Sequence, residues 1–523
     1  MSVNCIRNLL EVSSQTHADK TALVHEQRSL TYGELFKKVN QIAHYFSEQN
    51  YPKGTRIGIY SNKSIEQVIA ILALLSTEYI FVPITRVLKP EQVEYIVNDC
   101  NIRCIVTDKS KLENIEAANF QGDIVTYESV DKEHASFEEI YKYYNENYEA
   151  KIKSFHNAVI TYSFAASGLP KGIVITHRNL IDGARVVAQY LKLKESDVIS
   201  GVLSFNLDYG LNQIFCALYK RATLAIHKLV LPSDFFNHLL RDEVTVLPVM
   251  PIHITQMFDE DPHRLPTPEQ LQKVRIITSS GGKITAKMLE NIETFFPDAD
   301  FFSMHGLSEA FRSAYLDPKQ IKIRPTSIGK AIPDVELFII NEEGEACKPR
   351  EVGELIHRGA CIYKGYWNSP EDTKMRFKSI KILEKVINLE GELTDEIVVA
   401  SGDFVYQDEE GYIYFHSRKD DMIKTSGYRV SPAEIERVVY ENIEAIQSCA
   451  VFGIENEMIE EEIVLVYSAA SEIPKNELVF ELKKHLPNYM IPSVIVYKRS
   501  IPLHYGKINK AALKEELMER RRT

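Results

Sequence analysis

The stretch SFAASGLPKG, residues 163–172, places Ser163, Ser167, Gly168 and Lys171 in one small-residue turn between two apolar runs, AVITY and IVIT. Backbone N–H groups of such a turn can converge on phosphate oxygens, and a lysine at its end adds a full positive charge. The chemistry on offer is the holding of an anion. The spacing does not match the G-x-x-x-x-G-K-[ST] pattern of a Walker loop. A plain β-turn built on proline and glycine accounts for the same residues equally well, so the loop alone leaves both readings open.

The elements around the loop are legible from periodicity. The apolar runs on either side read as strands, and HRNLIDGARVVAQYLKL after the second sets Leu180, Ala184, Val187 and Leu191 on one helix face. Short β-rich runs alternate with helical patterns along most of the chain, which predicts an α/β protein. A charged run, HSRKDDMIK, marks a polar junction near residues 419–421. After it, SPAE at 431–434 reads as a capping box with proline at the first helical position. Strands CAVFGI and EIVLVYSA, a helix from about Pro474 to Leu486 and a strand SVIVY follow. These suffice for a separate α+β domain of about a hundred residues. The expected division is therefore 1–419 and 420–523.

Composition limits the function classes. A chain of 523 residues, 45% of them hydrophobic, can bury a large core, and 61 basic against 73 acidic residues give a net charge of −12. No long basic run occurs before Arg520, Arg521 and Arg522, which argues against nucleic acid as a partner. The first twenty residues are too polar for a signal sequence, and the longest apolar segment, VIAILALL, is too short to span a bilayer. A cytoplasmic protein without a membrane span is expected. Seven cysteines are scattered, and only Cys100 and Cys104 are close, without a second pair or a histidine at metal spacing. Buried free thiols are expected, rather than a zinc site or a disulfide.

YSFAASGLPKGIVITHRN resembles the phosphate loop of the AMP-forming adenylate ligases, the superfamily of acyl-CoA synthetases, peptide-synthetase adenylation domains and luciferases. Other stretches match further landmarks of that family: SLTYGEL, MHGLSEA, GELIHRGACIYKGYWNSPEDT, ASGDF, HSRKDDMIKTSGYRVSPAEIE, LPNYMIPS and IPLHYGKINK. The resemblance covers nearly the whole chain. It implies a large N-terminal domain of stacked α/β subdomains and a small mobile α+β C-terminal domain. It also implies ATP and Mg²⁺ as cofactors, and two half-reactions: adenylation of a carboxylic acid, then transfer to a thiol.

The resemblance assigns roles residue by residue. Glu309 takes the place of the magnesium-coordinating glutamate, with Ser308 as the hydroxyl beside it, and Gly306 and His305 precede them at the adenine-stacking position. A hard cation suits one carboxylate plus nucleotide oxygens. Asp403 and Arg418 match the residues that hold the ribose. Lys507 matches the lysine that bridges the substrate carboxylate and the α-phosphate, where two anions must be brought together. Asp420 corresponds to the hinge between steps, and Gly427 to the segment facing pantetheine.

For the substrate, LSFNLDYGLNQIFCAL aligns with the family segment whose aspartate, in amino-acid-activating members, pairs with the substrate ammonium. Asp208 falls on it; a buried carboxylate needs a cationic or hydrogen-bonding partner, and either a substrate amine or the nearby backbone would supply one. Ser280 and Gly281 are expected to line the pocket. Arg312 is expected there too, meeting a second substrate carboxylate or, as the simpler expectation, an internal salt bridge. Against the family loop, Phe164, Ala165 and Ala166 replace a serine, a glycine and a threonine. Two hydroxyl contacts to phosphate should be missing, each worth about 0.5–1.5 kcal/mol, so weaker ATP binding is expected rather than inactivity. The resulting expectation is an amino-acid-activating ligase acting on CoA or on a separate carrier protein. The alternatives are a fatty or aryl acid:CoA ligase and a non-catalytic nucleotide-binding homologue.

Overall fold

The computed structural model describes residues 5–522 apart from 89, 132, 146–147, 164–169, 260–263, 283, 391–394, 419–420, 426–427, 457–459, 487 and 505–506. The protein is α/β. Its smaller α/β sheet has eight strands, with Asn157–Ser163, Ile80–Pro83, Arg56–Tyr60 and Ile102–Thr107 side by side and parallel at its centre. A fourteen-stranded sheet runs from Val335–Ile340 through Ile397–Gln407 and Asp300–Gly306 to Thr21–His25 and Arg28–Thr31.

Helices join the two sheets because they are apolar enough to be covered on more than one side. Ile65–Leu74 touches strands of both sheets, and nearly every residue in it is buried. A helix apolar all round has no solvent face to offer. Ser64 starts it by accepting a hydrogen bond from the Gln67 amide. The run VIAILALL thus belongs to a core helix. Among the described residues no helix is long and apolar enough to cross a membrane.

The strands flanking the phosphate-loop sequence form as expected. Asn157–Ser163 and Lys171–Thr176 pair antiparallel, with Tyr162 opposite Gly172. His177–Tyr190 then begins at once, capped by Thr176 in a reciprocal bond with Asn179. Its face of Leu180, Ala184, Val187 and Leu191 is buried. This helix rests on Lys171–Thr176 and against Asp208–Lys220, which rests on the larger sheet.

The C-terminal residues build their own layers. Strands Tyr428–Val430, Ile423–Thr425, Glu460–Ala469, Ile446–Asn456 and Val494–Tyr497 form one sheet, covered by Pro432–Asn442, Lys475–His485 and Lys510–Arg522. Two apolar clusters within this region draw only on residues from Ile423 onward. Of the capping box, the serine arm forms: Ser431 Oγ accepts from the Glu434 amide at 3.3 Å, with Pro432 opening the helix. All seven cysteines are buried free thiols.

Candidate active site

Glu309 and Arg312 share one hairpin tip. Asp300–Gly306 and Arg312–Leu316 pair antiparallel, and the turn closes with the Leu307 amide donating to the Phe311 carbonyl at 3.1 Å. The pinch requires glycine at its base: a Cβ at Gly306 would sit 2.1 Å from the Phe311 carbonyl oxygen. Glu309 is held from the far side of the fold, where the Tyr366 hydroxyl donates to its Oε1. Burial, and after it the Glu309 charge, raise the Tyr366 pKa, so the phenol stays a donor. Among the described residues Oε2 has no partner. That leaves Glu309 one hard oxygen, with the Ser308 side chain exposed beside it.

Asp403 and Arg418 face each other across neighbouring strands, Ile397–Gln407 and Ile413–Arg418. Arg418 Nε lies 2.9 Å from Asp403 Oδ1, and His305 Nε2 lies 3.5 Å from Oδ2. The last distance is an ion-pair contact rather than a good hydrogen bond. Asp403 is 1% exposed, and burial alone would raise its pKa. His305 and the Arg418 charge outweigh burial and hold the carboxyl below its ordinary value. Arg418 keeps its outer side in water, 57% of its side chain exposed.

Asp208 opens the helix Asp208–Lys220, and its Oδ1 accepts from the Tyr209 amide at 2.7 Å. The turn that presents it is tight, since a Cβ at Gly210 would lie 2.0 Å from the Ser204 carbonyl oxygen. Burial raises the Asp208 pKa, opposed by the charges of Arg312 and Lys507. Lys507 sits on the short strand Lys507–Ile508, paired with Leu503–His504. Burial lowers its pKa; the Arg418 charge lowers it further, while Asp208 and Asp403 oppose. Lys507, Asp208 and Arg418 each retain solvent contact yet are hemmed in by protein. That combination marks them as candidate residues for one substrate cleft.

Arg312 corrects the simpler expectation of an internal salt bridge. Its residue is 4% exposed, and its guanidinium carbon lies 3.9 Å from the Tyr209 ring centre. Its hydrogen-bond partner is Met304 Sδ at 3.5 Å, and among the described residues no carboxylate forms an ion pair with it. The flat guanidinium is held by stacking, which fixes its plane before any carboxylate reaches it.

Other sequence-singled residues fall around this cleft or outside the described set. Lys171 Nζ pairs with Asp372 Oδ1 at 2.7 Å and lies 5.6 Å from the Tyr366 ring centre. Ser280 and the exposed Gly281 follow the strand Ile276–Ser279, and Gly281 has a left-handed φ of 88°. Phe164, Ala165, Ala166, Ser167, Gly168, Asp420, Gly427 and the side chain of Ser163 lie outside the described residues. Sequence reasoning missed Tyr366, Asp372 and Tyr209 as partners. The first two stand in GELIHRGACIYKGYWNSPEDT, so that segment was the available signal. A cleft of about 380 Å³ at the far end of Asp208–Lys220, lined by Leu9, Val12 and Arg221 among others, shares none of these residues.

One histidine under the site predicts a pH response. His357 is 1% exposed, and both its ring nitrogens lack a partner among the described residues. Burial, helped by His305 and opposed by Asp403, pushes its pKa down to about 3, and burial does the same to His177. An unfolded histidine gains its proton below about 6.5, but these two stay neutral in the folded chain, so stability must fall as pH falls. The expected slope is about 1.4 kcal/mol per pH unit for each. Urea midpoints at pH 7.5, 6.0 and 5.0 should decline, and His357→Phe should flatten the decline. Equal midpoints across that range would show these rings protonated in the folded state.

Comparison with known proteins shows the family and the fold. The family model described as "AMP-binding enzyme" matches residues 10–367. Tyrocidine synthase 1 of Brevibacillus parabrevis is 26% identical over 517 residues, which is 98% of this chain and 45% of that protein. The chain thus spans less than half the length of that relative. Among solved structures, ATP-bound MatB from Rhodopseudomonas palustris shares the fold at a TM-score of 0.85 and 22% identity, covering 98% of both chains. The o-succinylbenzoate CoA synthetase MenE from Bacillus subtilis, in complex with its acyl-adenylate intermediate, does so at 0.82 and 23%, covering 97% of this chain and 98% of that one.

Proposed function

The chain belongs to the AMP-binding enzyme family, and on that premise we propose that it is an AMP-forming ligase that activates an amino acid. The substrate carboxylate oxygen attacks the α-phosphorus of ATP, the bond to the bridging pyrophosphate oxygen breaks, and pyrophosphate leaves. A pantetheine thiol, of CoA or of a carrier protein, then loses its proton and attacks the acyl carbon. The C–O bond to AMP breaks, AMP departs and the thiol proton goes to solvent.

What supports this reading is the Arg418–Asp403 pair at 2.9 Å and the placement of Lys507 where the charges of that pair and of Asp208 act on it. Lys507 would balance the charge that moves as carboxylate meets phosphate. Asp403, ionised and backed by Arg418 and His305, would accept from the ribose hydroxyls. Asp208 would receive the substrate ammonium, which explains a buried carboxylate whose hydrogen-bond donor is its own neighbour's amide. Glu309 would hold Mg²⁺ through its free oxygen, a hard donor suited to an ion that takes its other oxygens from phosphate. When bound, that ion neutralises phosphate charge. The small domain from residue 420 onward carries Lys507 and would reposition it between half-reactions.

The test is ATP–pyrophosphate exchange against a panel of amino acids and simple carboxylic acids. Exchange should depend on an amino acid, and Asp208→Ala should raise its KM about 10- to 100-fold while leaving the KM for ATP unchanged. That range follows from one hydrogen bond to a charged group, about 1.5–3 kcal/mol. Exchange with fatty or aryl acids alone would keep the ligase and remove the amine anchor. ATP binding without exchange would favour a non-catalytic nucleotide-binding protein.

A further inference from the structure

Two other cations drawn into the interior among the described residues are met by oxygens. The Lys63 ammonium donates to the carbonyls of Gly201, Val202 and Leu203 at 2.7, 2.6 and 3.2 Å. Arg7, at 6% exposure, reaches Asn40 Oδ1 at 2.5 Å and the Tyr148 carbonyl at 2.8 Å. Arg312, at 4% exposure, has among the described residues the faces of Tyr209 and Phe311 and a thioether, and no oxygen partner. A desolvated guanidinium without an oxygen partner is costly, and a ring face recovers only part of the cost. Asp208, on whose carboxyl the Arg312 charge acts, does not close this gap with an ion pair. Asp208 stands next to Tyr209, on which Arg312 stacks, yet the two charges form no ion pair.

We infer that Arg312 receives a second carboxylate of the substrate, so that the acid activated here is an amino acid with an acidic side chain. The amino-acid part of the inference rests on the reading of Asp208 given above. The charges of the cleft then balance group by group. Asp208 faces the ammonium, Lys507 faces the carboxylate that reacts, and the guanidinium remains for a third group, which must be an anion. A neutral amino acid would leave Arg312 buried and unmatched, so the site rejects it by its own uncompensated charge. Stacking on Tyr209 presents the guanidinium fork as a fixed plane, which suits bidentate capture of a carboxylate. Tyr209 is fixed in turn, its hydroxyl at 2.9 Å from the Thr278 carbonyl oxygen and 2.7 Å from Thr278 Oγ1.

The experiment is pyrophosphate exchange by the wild-type chain with aspartate, glutamate, their amides, neutral amino acids and dicarboxylic acids lacking an amine. It is repeated with Arg312→Leu and Arg312→Lys. Preference for the acidic amino acids over their amides, lost in Arg312→Leu through an increase of about 10²-fold in KM and partly kept in Arg312→Lys, is the expected result. The KM for ATP should not move. Wild-type preference for a neutral amino acid would overturn the inference and leave the ligase reading standing. An equal loss for acids and amides in Arg312→Leu, with the wild type indifferent between them, would overturn it too, by showing a purely structural arginine. Preference for a dicarboxylic acid without an amine would support Arg312 as the second-carboxylate site and remove Asp208 as the amine anchor. Exchange with no acid at all would sink both readings together.

Discussion

Lys507→Ala is expected to slow acyl-adenylate formation about 10²- to 10³-fold, the usual loss when a positioned charge that stabilises a transition state is removed. The expectation comes from where the lysine stands. It sits on a short two-stranded ribbon at the cleft, with the charges of Asp208, Asp403 and Arg418 all acting on it. It is also exposed to water, so its removal opens no hole in a core. Stability measured by urea should therefore stay within about 0.5 kcal/mol of wild type. Exchange that falls while the urea midpoint and AMP affinity hold would tie the residue to chemistry. Exchange within threefold of wild type would remove Lys507 from the mechanism.

The same lysine sets the alkaline limit of the reaction. Burial, with Arg418 beside it, lowers its pKa below the ordinary 10.5, against the opposing pull of Asp208 and Asp403. A lysine with a lowered pKa loses its charge earlier as pH rises. Adenylation should thus decline on the alkaline side before a free lysine would titrate. In Lys507→Arg the decline should move to higher pH, because a guanidinium does not deprotonate in that range.

The strands around Ser163 to Gly172, the helix face of Leu180 to Leu191 and the cap at Ser431 were legible because each is decided within a dozen residues. The family motifs placed Glu309, Asp403, Arg418 and Lys507 on the same ground. Partnerships were not legible, because contact between distant segments leaves no local pattern. Tyr366 and Glu309 are 57 residues apart and meet where the Tyr363 amide donates to the Glu309 carbonyl and the strand Gly365–Tyr366 pairs with Lys171–Thr176. His305 reaches Asp403 across a sheet, and Lys171 finds Asp372 in a distant segment whose motif marks the stretch but not the pairing. Arg312 shows the limit most clearly. Its type and position suggested a salt bridge, and only the fold reveals a stacked guanidinium without one.

Asp403→Asn separates a site residue from a structural ion pair, and the largest effect is expected on nucleotide affinity. Its carboxylate is almost wholly buried, but Arg418 on the other side of the pair is more than half exposed. Deleting the carboxylate charge leaves an arginine that water can solvate again. The heavy cost of stranding a buried charge, about 3–5 kcal/mol, therefore does not arise. The folded chain should lose no more than about 1 kcal/mol. The nucleotide would lose one hydrogen bond to a charged acceptor, about 1.5–3 kcal/mol, and keep a neutral one to the amide oxygen, so AMP affinity should fall about 10- to 100-fold. Because Asp403 is held below its ordinary pKa, wild-type AMP binding should also persist as pH falls toward the usual carboxylate range. AMP titration and urea unfolding of the same two proteins decide the matter. A collapse in stability with affinity falling only in proportion would make Asp403 a clamp between the strands Ile397–Gln407 and Ile413–Arg418; a loss confined to affinity makes it the ribose acceptor, because only a ligand contact can vanish without loosening the sheet.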